Sequence, residues 1–356
     1  MAAIAKEAAL TALAARYHGV GDVRIESVPV LTPGSDEVLI EVAFCGICGS
    51  DLHEYFSAQT VTPVGNHPLT GQSLPVVLGH EFSGTVVERG NSVADIAVGD
   101  RVAVRPTYSC GSCESCMRGF PNTCVQMAFH GLSGPGGGLS TFTTVNASMA
   151  FVLPENVTLE QGALVEPMAV AYHGVARVVD ENSHLAFVGG AGPIGLGALF
   201  ALRACGVDHV IVSDPSPARR AVAAGFGATT LDPNTTSLVE VLAGRNLDIA
   251  VEAAGVGAVV ESAVEALGPR GRLVLLGLHE RPMSFDPTSL LYREVSVFGS
   301  STYRDDDYRS VIAAMSAGSY DPSGWVEIRP MSALLRTFGE LRAGGPSKVL
   351  IDLHQP

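Results

Sequence analysis

The segment from residue 184 to residue 214 constrains the fold of this 356-residue chain more than any other feature. It begins HLAFVGGAGPIG, so that Gly190, Gly192 and Gly195 form a G-x-G-x-x-G motif directly after an apolar run that predicts a strand. The residues PIGLGALFALRACG predict a helix, and Asp214 ends the next predicted strand, nineteen residues after Gly195. This order of strand, glycine-rich turn, helix and strand-end acid is typical of a dinucleotide-binding Rossmann unit.

Each residue of the motif has a physical role in binding a dinucleotide. Gly190 permits the tight turn, Gly192 lets the backbone approach the pyrophosphate at the helix N-terminus, and Gly195 allows close packing of helix and strand. Asp214 can accept hydrogen bonds from the adenosine ribose and would repel a 2′-phosphate, which favours NAD over NADP. Arg219 and Arg220 lie nearby and weaken that preference. The alternative is an ordinary strand–turn–helix that binds no cofactor.

The rest of the chain divides around this unit. Up to about residue 160 the sequence alternates in short strands separated by Gly and Asp turns. From 184 to 300, short apolar strands that look buried, ending with VSVFGS, alternate with helices, as in a parallel doubly wound sheet. The last 50 residues return to mixed structure and end in the predicted strand KVLIDL. The fold class is therefore α/β, with a β-rich domain and a Rossmann domain.

Composition limits the partners of the protein. A net charge of −14 argues against nucleic acid or an anionic membrane as the main partner. Apolar runs stay short of the roughly 18 residues that a membrane span needs. The N-terminal residues lack the pattern of a secretory signal, so we expect a cytoplasmic protein, whose cysteines serve as ligands or catalysts rather than in disulfides.

Four of the seven cysteines lie within 15 residues. Cys110, Cys113, Cys116 and Cys124 are spaced C-x2-C-x2-C-x7-C, which can close a tetrahedral shell around one zinc ion. A shell of four thiolates leaves no position for substrate, so this zinc would be structural. An iron–sulfur cluster is the alternative, but the usual spacing places the fourth cysteine three residues on and before a proline.

A second metal site requires residues from separate parts of the chain. A catalytic zinc takes three protein ligands and leaves one position open. The stretch FCGICGSDLH offers a thiolate from Cys45 or Cys48, LGHEFSG offers His80 and Glu81, and LVEPMA offers Glu166. Spacing alone does not decide between the two cysteines, nor between a zinc ligand and a redox pair.

Together these motifs resemble the zinc-dependent, medium-chain alcohol and polyol dehydrogenases. The resemblance runs from residue 14 to the end and rests on CGSD at 48–51, GHE at 79–81, the four-cysteine segment, EP at 166–167 and GAGPIG at 190–195. It implies a GroES-like β-barrel catalytic domain of residues 1–160 and 306–356, with a structural zinc lobe at 105–127. It also implies a Rossmann domain of residues 161–305, with the active site in the cleft between the two domains.

The resemblance also implies the roles of single residues. Cys48, which precedes Gly-Ser-Asp, would bind the catalytic zinc with His80, and either Glu81 or Glu166 would complete the shell. Cys45 would be a packing residue. Ser50 would contact the substrate oxygen and pass its proton through the nicotinamide ribose to His53 and solvent. The implied cofactor contacts are Gly190, Gly192, Pro193, Ile194, Gly195, Asp214, Arg219, Gly277 and Leu278.

The implied reaction is the NAD-dependent oxidation of a secondary alcohol, and its reverse. A glutamate at position 166, where many alcohol dehydrogenases have cysteine, indicates the polyol, threonine and butanediol branches. The stretches CGSDLHEY and HPLTGQSLPVVLGHEFSG are most similar to the 2,3-butanediol dehydrogenases, which interconvert a vicinal diol and a hydroxyketone. Sorbitol-type or threonine-type dehydrogenase activity is the nearest alternative, and a non-catalytic protein that binds NAD and zinc is a further one. The resemblance also implies a homodimer or homotetramer that pairs through VSVFGS.

Overall fold

The computed structural model describes residues 11–57, 61–279, 281–284 and 286–355. These residues form two compact units. The first extends to Glu166 and resumes at Glu327, whereas the second runs without interruption from Pro167 to Val326. Residues 306–326, which the sequence analysis assigned to the first domain, lie in the second unit.

The first part of the chain is built mainly from short strands. The strands are β1 (Thr11–Gly19), β2 (Asp22–Pro29), β3 (Glu37–Gly46), β4 (Val76–Val77), β5 (Glu81–Arg89), β6 (Arg101–Val104), β7 (Thr107–Tyr108), β8 (Ala128–Phe129), β9 (Phe142–Asn146) and β10 (Ala150–Val152). The helices are α1 (Gly49–Phe56), α2 (Glu114–Met117), α3 (Leu159–Gly162) and α4 (Val165–Ala176), with 3₁₀ turns at Pro121–Thr123 and Ala147–Met149.

The second unit alternates strands and helices. Its strands are β11 (Leu185–Gly189), β12 (His209–Ser213), β13 (Thr229–Leu231), β14 (Leu247–Glu252), β15 (Leu267–Leu275) and β16 (Ser296–Gly299). Its helices are α5 (Pro193–Ala204), α6 (Pro217–Gly225), α7 (Leu238–Leu242), α8 (Gly257–Ala266), α9 (Pro287–Leu291) and α10 (Asp305–Ser316). The chain then returns to the first unit with β17 (Val326–Pro330), a 3₁₀ turn at Met331–Ala333, α11 (Leu334–Arg342) and β18 (Lys348–Asp352).

A seven-stranded sheet organises the first unit, with β10, β6, β5, β3, β18 and β17 in that order and β9 also paired with β3. Strand β3 is central, which explains why its sequence EVLIEVAFCG is almost continuously apolar and mostly buried. The antiparallel register sets Gly46, the last residue of β3, opposite Glu81 of β5 and opposite Leu350 of β18. This register brings three distant parts of the sequence to one end of β3.

The sheet of the second unit is parallel, with the strand order β13-β12-β11-β14-β15-β16. This is the order 3-2-1-4-5-6 of a dinucleotide-binding fold, which is the fold that the sequence predicted for this part of the chain. All five residues of β11 are buried, which agrees with the expectation for a central parallel strand. The expectation that VSVFGS is also buried is wrong for the isolated chain, because β16 is the edge strand and three of its four residues are exposed.

Among the helices of the described residues, none combines the length and the apolar character needed to cross a bilayer.

Candidate active site and metal centres

The four cysteines of the 105–127 segment converge on one point. The Sγ atoms of Cys110 and Cys124 lie 3.5 Å apart, and those of Cys113 and Cys124 lie 3.9 Å apart. All four sulfurs lie within 4.8 Å of one another. With a Zn–S distance of about 2.3 Å, a tetrahedral shell has sulfurs about 3.8 Å apart, so this spacing suits a single zinc ion. An iron–sulfur cluster places its cysteines around several atoms and would hold the sulfurs farther apart.

Backbone amides lie within hydrogen-bonding distance of two of the four cysteine sulfurs. The amide of Cys113 lies 3.3 Å from the Cys110 sulfur, and the amide of Cys110 lies 3.3 Å from the Cys124 sulfur. Hydrogen bonds from the backbone of Ser112 and Cys113 lower the pKa of Cys110 to about 6. A thiol with a lowered pKa is largely thiolate at neutral pH, which is the form that binds metal.

A second group of metal-binding side chains forms at the end of β3. Cys48 is the N-cap of α1, while His80 directly precedes β5 and Glu81 begins it. One ligand atom from each of these three residues lies within 4.8 Å of the other two. Cys45 is fully buried in the core of the first unit and is not in this group. The structure therefore brings together one thiolate, one imidazole and one carboxylate, as a catalytic zinc site requires.

Glu166 lies in the first turn of α4 and is 5% exposed. Its charge acts on His80 and on Lys348 and raises the pKa of both. It is not one of the three residues whose ligand atoms converge. Of the two acids that the sequence left open, Glu81 is the one within the ligand group in this conformation.

The carboxylate of Asp51 lies beside Nδ1 of the His80 ring. Its Oδ2 accepts a hydrogen bond from the Cys48 amide at 2.9 Å, and its Oδ1 lies 3.6 Å from His80 Nδ1. Burial disfavours the charged imidazole, but the negative charges of Asp51 and Cys48 outweigh burial and raise the pKa of His80 well above its ordinary value. A carboxylate behind a metal-binding histidine fixes which ring nitrogen faces the metal. With Nδ1 turned to Asp51, Nε2 is the nitrogen available for a metal.

Lys348 is a residue of this site that the sequence analysis missed. It begins β18, is 2% exposed, and its ammonium forms an ion pair with Glu81 and donates to the Ile47 carbonyl at 2.9 Å. Burial alone would lower the pKa of this lysine, but the negative charges of Glu81, Cys48 and Glu166 together outweigh burial, so the pKa is raised. The two residues lie 267 positions apart, and nothing in the local sequence of either marks the pairing.

The proton-handling residues lie on α1. Ser50 Oγ lies 3.1 Å from His80 Nε2, so its hydroxyl reaches the nitrogen that faces the ligand group. His53 follows on the same helix, three residues later, and is exposed. Positions three apart on a helix are neighbours on its surface.

The glycine-rich turn of the second unit has the geometry that a dinucleotide needs. Gly190 has a φ of +103°, a left-handed conformation that favours glycine. A Cβ on Gly195 would overlap the Gly190 carbonyl, whereas a Cβ on Gly192, the N-cap of α5, would meet open space. Pro193 and Ile194 open the helix α5. The turn therefore packs tightly on the sheet side and leaves its other side accessible.

Asp214 lies just beyond β12 and is 4% exposed. Its carboxylate accepts hydrogen bonds from the amides of Ala191 and Ser216, both at 2.8 Å, and so ties the glycine-rich turn to the next loop. Arg219 lies 4.0 Å from it, and Arg220 instead pairs with Asp232 at 3.0 Å. Gly277 and Leu278 follow β15, at the same carboxyl edge of the sheet.

Comparison with known proteins places this architecture in a family. Residues 34–155 match the alcohol dehydrogenase GroES-like domain, and residues 193–317 match the zinc-binding dehydrogenase domain. The (R,R)-butanediol dehydrogenase of Bacillus subtilis is 39% identical over 86% of this chain and 89% of its own. A sorbitol dehydrogenase of Bombyx mori is 32% identical over 96% of this chain and 98% of its own.

Solved structures agree with the sequence relatives. The crystal structure of 2R,3R-butanediol dehydrogenase from Bacillus subtilis has a TM-score of 0.90 and 36% identity, and covers 96% of this chain and 99% of its own. An Escherichia coli alcohol dehydrogenase complexed with NADH has a TM-score of 0.85 at 28% identity, with the same coverage. The chain belongs to the zinc-binding alcohol dehydrogenase family. It is an oxidoreductase with a GroES-like and a Rossmann-like domain, as the sequence predicted.

Proposed function

We propose that this enzyme uses NAD to oxidise a vicinal diol, 2,3-butanediol, to the hydroxyketone acetoin, and that it also catalyses the reverse reduction. The observation that carries the proposal is the convergence of Cys48, His80 and Glu81 ligand atoms within 4.8 Å, in a chain related to butanediol dehydrogenases. Three mixed ligands leave the fourth position of a tetrahedral zinc for the substrate oxygen.

Cys48, His80 and Glu81 are the ligands that fit a catalytic zinc. The donor set suits this metal, and Nδ1 of His80 faces the Asp51 carboxylate, which leaves Nε2 for the metal. Bound zinc supplies Lewis acidity that lowers the pKa of an alcohol hydroxyl or polarises a ketone. Glu166, in the first turn of α4, acts on the site through its charge, and it is the second acid that could serve as a ligand when Lys348 holds the Glu81 carboxylate.

The chain's own residues then handle the proton. Ser50, whose hydroxyl lies 3.1 Å from His80 Nε2, would accept the proton of the substrate hydroxyl in the oxidation direction while it releases its own hydroxyl proton, through the nicotinamide ribose, toward His53. In the reduction direction the same transfers would run in reverse. His53 is exposed one turn later on α1 and exchanges that proton with solvent. The four-cysteine cluster takes no part in this chemistry, since a closed thiolate shell only stabilises the segment around it.

The second unit is proposed to hold NAD. The glycine-rich turn from Gly190 to Gly195 offers backbone amides for the pyrophosphate, and bound NAD supplies the hydride acceptor. Asp214 at the end of β12 supports NAD over NADP, because a buried carboxylate that is already hydrogen-bonded would repel a 2′-phosphate. The position of Arg219, 4.0 Å from that carboxylate, supports pairing with Asp214 rather than with a phosphate.

A homodimer or homotetramer is part of the proposal. Strand β16 is an edge strand of the parallel sheet, and its apolar residue Val297 is 37% exposed. An exposed apolar edge strand is suited to pairing with another chain. A second copy of this chain would extend the sheet through β16.

The decisive experiment measures NAD reduction at 340 nm with (R,R)-, (S,S)- and meso-2,3-butanediol, sorbitol, L-threonine and ethanol, each with and without a chelator. We expect chelator-sensitive turnover of one butanediol isomer in the wild type, and its loss in Cys48→Ser. Cys45→Ser is the matched control, because Cys45 lies three residues away but outside the ligand group, and it should retain turnover.

The alternatives predict other patterns. Turnover of sorbitol or threonine alone would be consistent with the proposed zinc mechanism but would refute the proposed substrate. Activity that survives in Cys48→Ser would refute the proposed ligand set. Binding of NADH without turnover of any alcohol would favour the non-catalytic reading.

A further inference from the structure

Two loops at the carboxyl edge of the parallel sheet are fastened together by one buried carboxylate. Glu252, the last residue of β14, is 0% exposed. Its Oε1 accepts hydrogen bonds from the amides of Ala254 and Gly255 at 2.8 and 2.6 Å. Its Oε2 lies 3.0 Å from Nε2 of His279, in the loop that follows β15. The side chain therefore holds its own loop with one oxygen and the neighbouring loop with the other.

The backbones of the same two loops are also in direct contact. The Glu252 carbonyl accepts hydrogen bonds from the amides of Leu276 and Gly277, at 2.8 and 3.1 Å. A Cβ on Gly277 would meet the Gly255 backbone and the Glu252 carboxylate, and a Cβ on Gly255 would overlap the Leu278 carbonyl. Glycine at both positions lets the loops touch, so the position of residues 276–279 is tightly defined.

This fastened loop exposes one apolar side chain. Leu278 is 91% exposed, although the residues on either side of it, Gly277 and His279, are both held against Glu252. Solvent exposure of a leucine on a rigid loop costs hydrophobic free energy unless a ligand or partner covers it. The loop is therefore fixed in position while its leucine side chain stays exposed and available for contact.

The strand order indicates which part of the cofactor lies nearby. In this fold a dinucleotide spans the carboxyl edge across the point where the strand order reverses, here between β11 and β14. Asp214, the residue suited to the adenosine ribose, follows β12 on one side of that point. The loops after β14 and β15 lie on the opposite side, where the nicotinamide half must extend.

We propose that His279 is a positioning residue for the nicotinamide half of the cofactor. Its hydrogen bond to Glu252 fixes the loop after β15, and that loop presents the Leu278 side chain as an apolar wall for the nicotinamide ring. His279 acts through Glu252 and Leu278 and takes no part in proton transfer. This inference rests on the proposed use of NAD.

The test compares two ligands in the zinc-loaded enzyme. NADH carries the nicotinamide ring, whereas ADP-ribose has the adenosine, pyrophosphate and second ribose but no ring. His279→Ala removes the donor to Glu252, and we expect it to weaken NADH binding about tenfold, the effect of losing one hydrogen bond to a charged group, with little change in ADP-ribose binding. The variant should also raise KM for NAD and lower kcat together, because a misplaced ring is both bound and used less well.

Two further variants separate positioning from general stability. His279→Gln keeps a side-chain N–H that can reach Glu252, so it should recover most of the NADH affinity. Leu278→Ala should reproduce the loss for NADH but not for ADP-ribose. Val239→Ala, an equally conservative change at a residue that is 47% exposed on α7, is the control and should change neither affinity.

Each result supports or overturns the inference. Equal loss of NADH and ADP-ribose in His279→Ala would mean that the whole Rossmann unit was disturbed and would overturn it, as would unchanged NADH affinity and kcat. If the wild type binds both NADH and ADP-ribose but the variants do not lose NADH affinity selectively, only the inference about His279 is refuted and the proposed use of NAD stands. If the wild type binds neither ligand, the proposed NAD function falls and this inference falls with it.

Discussion

The buried histidine of the first unit should make the stability of the protein sensitive to mild acid. His130 is 0% exposed, its Nδ1 lies 2.9 Å from the Tyr108 hydroxyl, and its Nε2 lies 2.7 Å from the Thr143 hydroxyl. A neutral imidazole has one donor and one acceptor nitrogen, and two hydroxyls can satisfy both. Burial lowers the pKa of His130 from 6.5 to about 3. The folded protein therefore keeps this ring neutral, while the unfolded chain protonates it near pH 6.5.

The sign and size of the effect follow from that difference. Because the unfolded state binds the proton first as the pH falls, the stabilising contribution is complete above pH 6.5 and is lost progressively between pH 6.5 and 3. From pH 7 to pH 5.5 the loss is about 1.3 kcal/mol of unfolding free energy. The loss should be absent in His130→Gln, which keeps a donor and an acceptor but does not titrate in this range.

Urea unfolding at pH 7 and pH 5.5 measures this difference in the zinc-loaded protein. Far-UV circular dichroism follows both units, whereas the fluorescence of Trp325, the single tryptophan, reports the second unit. A transition seen by circular dichroism but not by fluorescence belongs to the first unit. Other carboxylates and histidines titrate equally in both proteins, so their effects cancel in the comparison. An equal loss of stability in the wild type and in His130→Gln would refute the reasoning.

Two further predictions concern the metal centres. In the metal-free protein, Lys348→Met leaves the Glu81 carboxylate buried without its ion-pair partner and should lower the unfolding free energy by roughly 3–5 kcal/mol. Adding Glu81→Gln should restore part of this loss. Urea unfolding of the four metal-free proteins of this double-mutant cycle measures the coupling, and strict additivity would contradict it. Cys113→Ser should release the zinc of the four-cysteine cluster, while the Cys48 site keeps its metal. Metal analysis would measure the zinc content of the variant, and limited proteolysis would show increased cleavage at residues 105–127. Retention of all bound zinc would contradict the four-thiolate shell.

Features that depend on neighbouring residues could be predicted from the sequence. The four cysteines span 15 residues, so their spacing alone limits the geometry of a shared ion. The glycine-rich turn is equally local, because the tight turn at Gly190 and the contact between Gly190 and Gly195 arise within six residues. The parallel arrangement of the second sheet also followed from the alternation of strands and helices.

Features that depend on long-range pairing could not be predicted in the same way. Lys348 reaches Glu81 only because β18 pairs with β3 and β3 pairs with β5. The contact between Glu252 and His279 likewise requires β14 and β15 to be neighbours in register. Asp51 was visible as part of CGSD, but its position behind His80 depends on where the end of β3 meets the start of β5. The burial of β16 was predicted wrongly because an edge strand and a central strand can have the same apolar sequence.

The discontinuity of the first unit has a consequence for the order of events during synthesis. The second unit is one unbroken segment, from Pro167 to Val326, so all its strands have left the ribosome before β18 has been made. The first unit, by contrast, needs Leu350 and Ile351 beside Gly46 and Cys45 to complete its sheet. Because domains fold as their segments emerge, we expect the Rossmann unit to form first and the proposed zinc ligands around Cys48 to reach their final arrangement only after β18 has been made. Until then, newly made chains would be able to fold around a dinucleotide while still lacking the lysine that pairs with Glu81.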